Sequence, residues 1–148
     1  MVKFIAHRGN CTGAQPTLEN TKEYLEFAYY DKGYDVEVDV REHRGLLYFG
    51  HDEPIQVADT RFLQQPGVWC HAKDLAALGM LLYLRTRCFW HDTDTVTLTN
   101  DGYIWCYPGN FPRHTCAVWL DLVDMPLPAD ITDIYGICGD RELPNLFI

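Results

Sequence analysis

The chain has 148 residues, of which 47% are hydrophobic and 22% charged, the composition of one globular domain with a substantial core; it excludes a disordered or repeat-built chain. A formal net charge of -9 works against nucleic acid and anionic membrane surfaces as partners, and an anionic substrate would need local positive charge or a metal ion. MVKFIAHRGN lacks a secretory apolar region, and no stretch approaches the roughly 20 apolar residues of a membrane span, so the expectation is a soluble, cytoplasmic protein without membrane insertion.

In chain order, the short run from Lys3 to Ala6 stops at His7 and a glycine-containing loop, the pattern of a strand with a histidine at its C-terminal end. From Thr17, TLENTKEYLEFAYYDKG predicts a helix with Leu18, Tyr24, Leu25, Phe27 and Ala28 as its apolar stripe. Thr17 is the candidate N-cap, Glu19 puts negative charge in the first turn, and Gly33 marks the stop. YDVEVDV then alternates strictly, with Val36, Val38 and Val40 on one face of a strand and Asp35, Glu37 and Asp39 on the other. REHRGLLYFGHD reads as a turn at Arg44 and Gly45 followed by a strand ending at His51, a hairpin with its predecessor.

GVWCHAK is a third core strand that runs into a helix-forming stretch, DLAALGMLLYLRTR. The remainder is strand-rich: CFWH, TVTLT, YIWCYPG, AVWLDL and IYGICGD, with an antiparallel hairpin at the NDG between TVTLT and YIWCY. Strand, helix, strand, helix at the front argues an α/β fold over a single domain, residues 1–148. Most of the six cysteines sit inside apolar runs and are expected as buried free thiols, and the absence of CxxC argues against a zinc ribbon.

The chemistry-bearing residues fall at predicted strand ends. Glu37 and Asp39, two apart on one strand, project from the same face at a separation that one divalent cation bridges. Taken alone the pair is better explained as the solvated face of a half-buried strand; His7 and His51, each at the end of another strand, reverse that preference. Two imidazoles flanking an acidic strand suit in-line attack at phosphorus, one taking a proton and the other giving one. Either Asp52 or Glu19 is placed to orient a ring. His91 and Asp92 read most simply as a polar strand cap, with a ligand or substrate contact as the alternative. Trp90, Trp105 and Trp119 are read as core, with Tyr107 and Trp119, near strand ends, as candidates to line a substrate pocket.

These residues resemble the glycerophosphodiester phosphodiesterases and their relatives in the phosphatidylinositol phospholipase C-like superfamily. The resemblance lies in HRG at His7 to Gly9, LENT at Leu18 to Thr21 where the family has PENT, EVD at Glu37 to Asp39, and GHD at Gly50 to Asp52, in the family's order. It is firm over residues 1–54, fainter at HAK (His71 to Lys73), and fainter again at GICGDRELP. It implies a TIM-type barrel with its site at the C-terminal strand ends. It further implies His7 and His51 as the acid/base pair, Glu37 and Asp39 as ligands of calcium or magnesium, and Arg8 and Lys73 facing the phosphate of a small phosphodiester substrate.

Two departures shape the expectation. Where the family's ExK pattern has a metal-binding acid, this chain has His71, a softer neutral ligand that favours manganese or zinc relative to calcium or magnesium. The chain is also short against the roughly 250 residues of a typical TIM barrel, which predicts a reduced or irregular barrel with few outer helices and hairpin insertions. The expected activity is metal-dependent hydrolysis of a glycerophosphodiester-like substrate. Its rivals are a lyase resembling the sphingomyelin-cleaving phospholipases D, which leaves a cyclic phosphate, and a non-catalytic phosphoester-binding module. The oligomeric state stays open.

Overall fold

A computed structural model of the chain describes residues 1–122 and 126–143. The architecture is organised around the acidic strand, β2 (Asp35–His43). Its period of two sends Val36, Val38 and Val40 to one face and Asp35, Glu37 and Asp39 to the other. All six are buried, so neither side of β2 is a solvated face. β1 (Lys3–His7) and β5 (Val68–Ala72) pair with β2 in parallel. The far end of β2 turns back through Arg44 and Gly45, both at positive φ, into the antiparallel β3 (Leu46–Phe49), the predicted hairpin. β4 (Gln56–Val57) pairs with β3.

The sheet continues in both directions. β6 (Cys88–Phe89) runs parallel to β5. On the other side β10 (Gly136–Gly139) lies parallel to β1, β9 (Ala117–Asp121) to β10, and β8 (Ile104–Cys106) to β9. β7 (Val96–Leu98) joins β8 as the predicted NDG hairpin. Phe89 of β6 stacks on Trp105 of β8 with ring centroids 4.5 Å apart. These strands stand at opposite ends of the parallel run, so the sheet must curl to bring them together. Trp69, Ile5, Val118, Leu120 and Cys138 fill the same interior.

Among the described residues, three helices cover part of the outer face. α1 (Lys22–Glu26) continues as a π-helical turn over Phe27–Asp31, α2 (Thr60–Leu63) precedes β5, and α3 (Leu75–Tyr83) follows it. Their buried residues Leu25, Ala28, Phe62, Leu63, Ala77 and Leu81 pack against the valines of β2 and against Cys70, Ala72 and Cys88. Asp59 and Asp74 cap α2 and α3 through their carboxylates. All six cysteines are free, and Cys116 alone is not buried. No helix among the described residues is long and apolar enough to cross a membrane.

The expected TIM-type α/β barrel, reduced or not, is overturned. The molecule is a curled, mostly β half-barrel with only 16% helix. Among the described residues no ladder joins β6 to β7 or β8. The reason lies in the late crossovers. A barrel would place outer helices between β8 and β9 and between β9 and β10, yet these segments carry Pro108 and Pro112, and Pro126 and Pro128. Proline inside a helix removes a hydrogen bond and clashes with the preceding turn. Loop side chains cover the sheet there instead: Phe111, Leu127, Ile131 and Leu143 pack on Cys106, Ala117, Trp119 and Ile137.

The helix expected from Thr17 begins instead at Lys22, with Thr21 as its N-cap. Asn20, at φ 59°, has its amide committed to Asp39 of β2, and this tertiary demand holds the preceding residues in turns. Gly33, at φ 72°, ends the π-helical turn, as the sequence suggests. The GICGDRELP segment supplies β10 and Asp140; its last residue, Pro144, lies outside the described residues.

Candidate active site

Strand register assembles the site. His7 of β1 lies opposite Glu37 of β2, and Asp39 of β2 lies opposite His71 of β5. Residues in register on neighbouring parallel strands share a face at a spacing of about 4.8 Å. His7 Nε2 is therefore 3.9 Å from Glu37 Oε2. His71 Nδ1 is 3.5 Å from Glu37 Oε1 and 3.6 Å from Asp39 Oδ1. Glu37, Asp39 and His71 each offer a ligand atom within 4.8 Å of the other two.

The two carboxylates are held from behind. Glu37 Oε2 accepts the Arg8 backbone N–H at 3.3 Å. Asp39 Oδ2 accepts the Asn20 amide at 2.9 Å, and the Asn20 side-chain oxygen accepts the Asp39 backbone N–H at 3.0 Å. Arg8 Nε forms an ion pair with Asp39 Oδ2 at 2.9 Å, but its N–H is not aligned for a hydrogen bond. Asp39 Oδ1, although buried, has no hydrogen-bond partner among the described residues; Lys73 Nζ approaches to 3.8 Å. A buried carboxylate oxygen without a donor is costly, and a cation among Glu37, Asp39 and His71 would relieve it. The residues therefore fit a divalent metal ion.

The charges around Glu37 favour its ionised form. Burial works to raise the Glu37 pKa, but the contact with His71 and the charges of His7, His71 and Arg8 outweigh it and bring the group down to about 2. The His71 ring is fixed in orientation by near-parallel stacking on Phe89 and His91, with centroids 4.7 and 4.9 Å away. Burial, followed by the charges of His71 and Lys73, pushes His91 down to about 4, so this ring is neutral near pH 7.

Each predicted acid/base histidine has a carboxylate partner on Nδ1. His7 Nδ1 lies 2.7 Å from Asp140 Oδ1. Burial opposes the charged ring, but the Asp140 hydrogen bond and the Glu37 charge win and raise its pKa. His51 Nδ1 lies 2.8 Å from Asp52 Oδ1. Glu19, the other candidate for orienting a ring, binds Arg8 and Asn10 instead. His51 is not at a strand end as expected; β3 stops at Phe49, and His51 sits in the following loop. That loop depends on Gly50, at φ 147°, where an added Cβ would meet Glu53 O at 1.8 Å.

These groups line a pocket of about 530 Å³ with two kinds of wall. His7, Arg8, Glu37, Asp39, His51, His71 and Lys73 form the charged one; Trp90, Trp105, Tyr107, Pro108, Leu120 and Leu122 form the apolar one. Tyr107, a candidate from the sequence, is half exposed and lines the pocket, as do His91 and Asp92. Trp90 is not a core residue but an exposed one at this wall.

Trp119 does not line the pocket. Val118 and Leu120 take the inner face of β9, so the strand period sends Trp119 outward, where its indole N–H donates to Pro112 O at 2.9 Å.

Asp140, Asn20 and Asn10 were not assigned roles from sequence. Asn10 is fully buried and its amide donates to both Glu19 and Asp140. The available signal for Asp140 was its place immediately after a buried strand, the same pattern that marks His7. Ala6 and Gly139 are in register on β1 and β10, which sets the next residues, His7 and Asp140, side by side. Comparison of this chain with protein families, curated proteins and solved structures finds no match.

Proposed function

We propose that the chain is a metal-dependent phosphodiesterase that hydrolyses a small glycerophosphodiester-like substrate. The observation that carries this reading is the unpartnered, buried Oδ1 of Asp39, facing Glu37 and His71 in a pocket that also holds two carboxylate-anchored histidines. The order of the HRG, LENT, EVD and GHD motifs, which resembles that of the glycerophosphodiester phosphodiesterases, supports the same reading.

A divalent ion held by Glu37, Asp39 and His71 supplies positive charge against the phosphoryl oxygens. Lys73, on the charged wall, adds to it. Arg8 lines the same wall, although Glu19 and Asp39 already share its charge. In His7 and His51 the carboxylate on Nδ1 selects the tautomer that carries its proton there and leaves Nε2 to the pocket. One Nε2 takes the proton of an attacking hydroxyl, either a neighbouring group of the substrate or water. The other, protonated on both ring nitrogens, gives its Nε2 proton to the leaving oxygen. Trp90 and Tyr107 offer apolar surface to the substituent on phosphorus.

The test is turnover of a panel of glycerophosphodiesters and lysophospholipids with magnesium, calcium, manganese or zinc. His7→Ala and His51→Ala should each lower kcat by about 10²–10⁴ while circular dichroism stays unchanged. Full activity in both variants would exclude the assignment. A phosphomonoester product supports the hydrolase, a cyclic phosphate as end product identifies a lyase, and tight binding without turnover identifies a binding module.

A further inference from the structure

We infer that the ion held by Glu37, Asp39 and His71 is a transition-metal dication of the zinc and manganese class, zinc binding tightest, and not the calcium or magnesium that the motif resemblance implies. The inference rests on the metal site of the proposed function and concerns which ion fills it.

The carboxylate oxygens free of protein donors select the ion. Asp39 is almost fully buried; its Oδ2 already accepts from Asn20 and faces Arg8 Nε, so Oδ1 alone is unpartnered. Glu37 Oε2 accepts the Arg8 backbone N–H and faces His7, leaving Oε1 on the His71 side. Each carboxylate thus has one oxygen free of protein donors, and the third donor is a nitrogen. Calcium takes about six to eight oxygens and favours bidentate carboxylates. Two single oxygens and an imidazole are a poor set for it. Magnesium is equally hard and gains little from nitrogen.

Zinc takes nitrogen and oxygen together, typically with three protein ligands and one open position in catalytic sites. The His71 Nδ1 separations of 3.5 and 3.6 Å from the two carboxylates are close to the edge, about 3.4 Å, of a tetrahedron whose corners lie about 2.1 Å from its centre. The nitrogen is built in: stacking on Phe89 and His91 holds the His71 ring with Nδ1 toward the carboxylates. Lys73, 3.8 Å from Asp39 Oδ1, is too distant to satisfy that oxygen itself.

Titration calorimetry of the whole metal-free chain with zinc, manganese, magnesium and calcium reads the ion without turnover. The expected result is one ion per chain, with zinc tightest, manganese next, and zinc about a hundredfold or more above calcium. His71→Asp should weaken zinc by about 10- to 100-fold and strengthen calcium or magnesium. Asp39→Asn should remove the tight zinc site, which excludes the cysteine thiols as its source. Pulsed electron paramagnetic resonance of bound manganese should show coupling to an imidazole nitrogen, a readout that needs no variant.

Calcium or magnesium binding as tightly as zinc, no nitrogen coupling, or zinc affinity unmoved in a folded His71→Asp protein would each overturn the inference. Absence of any divalent binding would overturn it together with the metal dependence of the proposed function. Zinc preference without phosphodiester turnover would uphold the inference and overturn only the proposed activity.

Discussion

Asn20 shapes the site without touching its open side. Its carboxamide bonds both the side chain and the backbone N–H of Asp39, and it is buried at φ 59°, a conformation that asparagine tolerates better than most residues. Asn20→Ala should cost about 1–3 kcal/mol, because two buried polar groups of Asp39 lose their partner. It should also weaken metal binding by about 10- to 100-fold, since the ligand is no longer oriented. Chemical denaturation and metal titration check the two effects separately, and unchanged values in both would remove the role. The ionisable groups add a pH dependence in the metal-free protein. His7 has a folded pKa above its ordinary 6.5, so its contribution is present below that value and is lost as pH rises through the folded one. Glu37, brought from 4.5 to about 2, contributes above 4.5 and loses this as pH falls toward 2, with Asp140 shifted in the same direction. His91, brought from 6.5 to about 4, contributes above 6.5 and loses this as pH falls toward 4, so metal-free stability should peak near pH 6.5 and fall on either side. His7→Asn should flatten the alkaline side in denaturant titrations across pH; a wild-type stability that climbs steadily above pH 6.5 would contradict the linkage.

At the scale of elements, the loop after β3 decides where His51 stands. Gly50 N–H donates to Asp39 O, which ties the loop to the acidic strand, and the Arg41 guanidinium donates to His51 O at 2.6 Å. A methyl group at position 50 would collide with Glu53 O, so Gly50→Ala must move the loop. A displacement of about 1 Å in a reacting group costs on the order of 100-fold in rate; kcat should fall by that order while the far-ultraviolet spectrum of the sheet persists. Retained kcat would detach His51 from the chemistry. Elements whose shape is set locally were readable in the sequence: the Arg44–Gly45 and NDG hairpins carry their own turn chemistry, and the DVEVDV alternation gives the face of Glu37 and Asp39 directly. The helix start was not readable, because Asn20 answers to a residue 19 positions away. The His51 loop was likewise missed as a strand end, since its course depends on contacts with Arg41 and Asp39. Trp119 is core, as the sequence suggests, but its candidacy for the pocket fails for a different reason: a strand pattern gives two faces without saying which one looks into the pocket, and both faces of β9 are buried.

The whole molecule is a sheet covered in two ways. Over β1, β2, β5 and β6 the outer face is sealed by helices and the aliphatic side chains they carry; over β8, β9 and β10 it is sealed by proline-containing loops through Phe111, Leu127 and Ile131, with Leu143 added from the segment after β10. A length of 148 residues showed that a full set of outer helices was out of reach, but not that loops would replace them on one side only. The difference has an energetic consequence. Loop cover leaves fewer internally bonded backbone groups over the strands, so local opening should be easier on that side. Hydrogen exchange should be faster at amides of β8 and β9 than at those of β1, β2 and β5. Trp119 is the largest side chain in the loop-covered cluster and ties the crossover to the sheet through Pro112. Trp119→Ala should cost about 3–5 kcal/mol and accelerate exchange mainly in β8, β9 and β10, with little change in KM because the ring faces away from the pocket. Tyr107→Ala should do the reverse, changing KM while stability stays within about 0.5 kcal/mol. Uniform exchange across the sheet, or a Trp119 variant that alters KM without destabilising the chain, would show that the two halves are not separately supported.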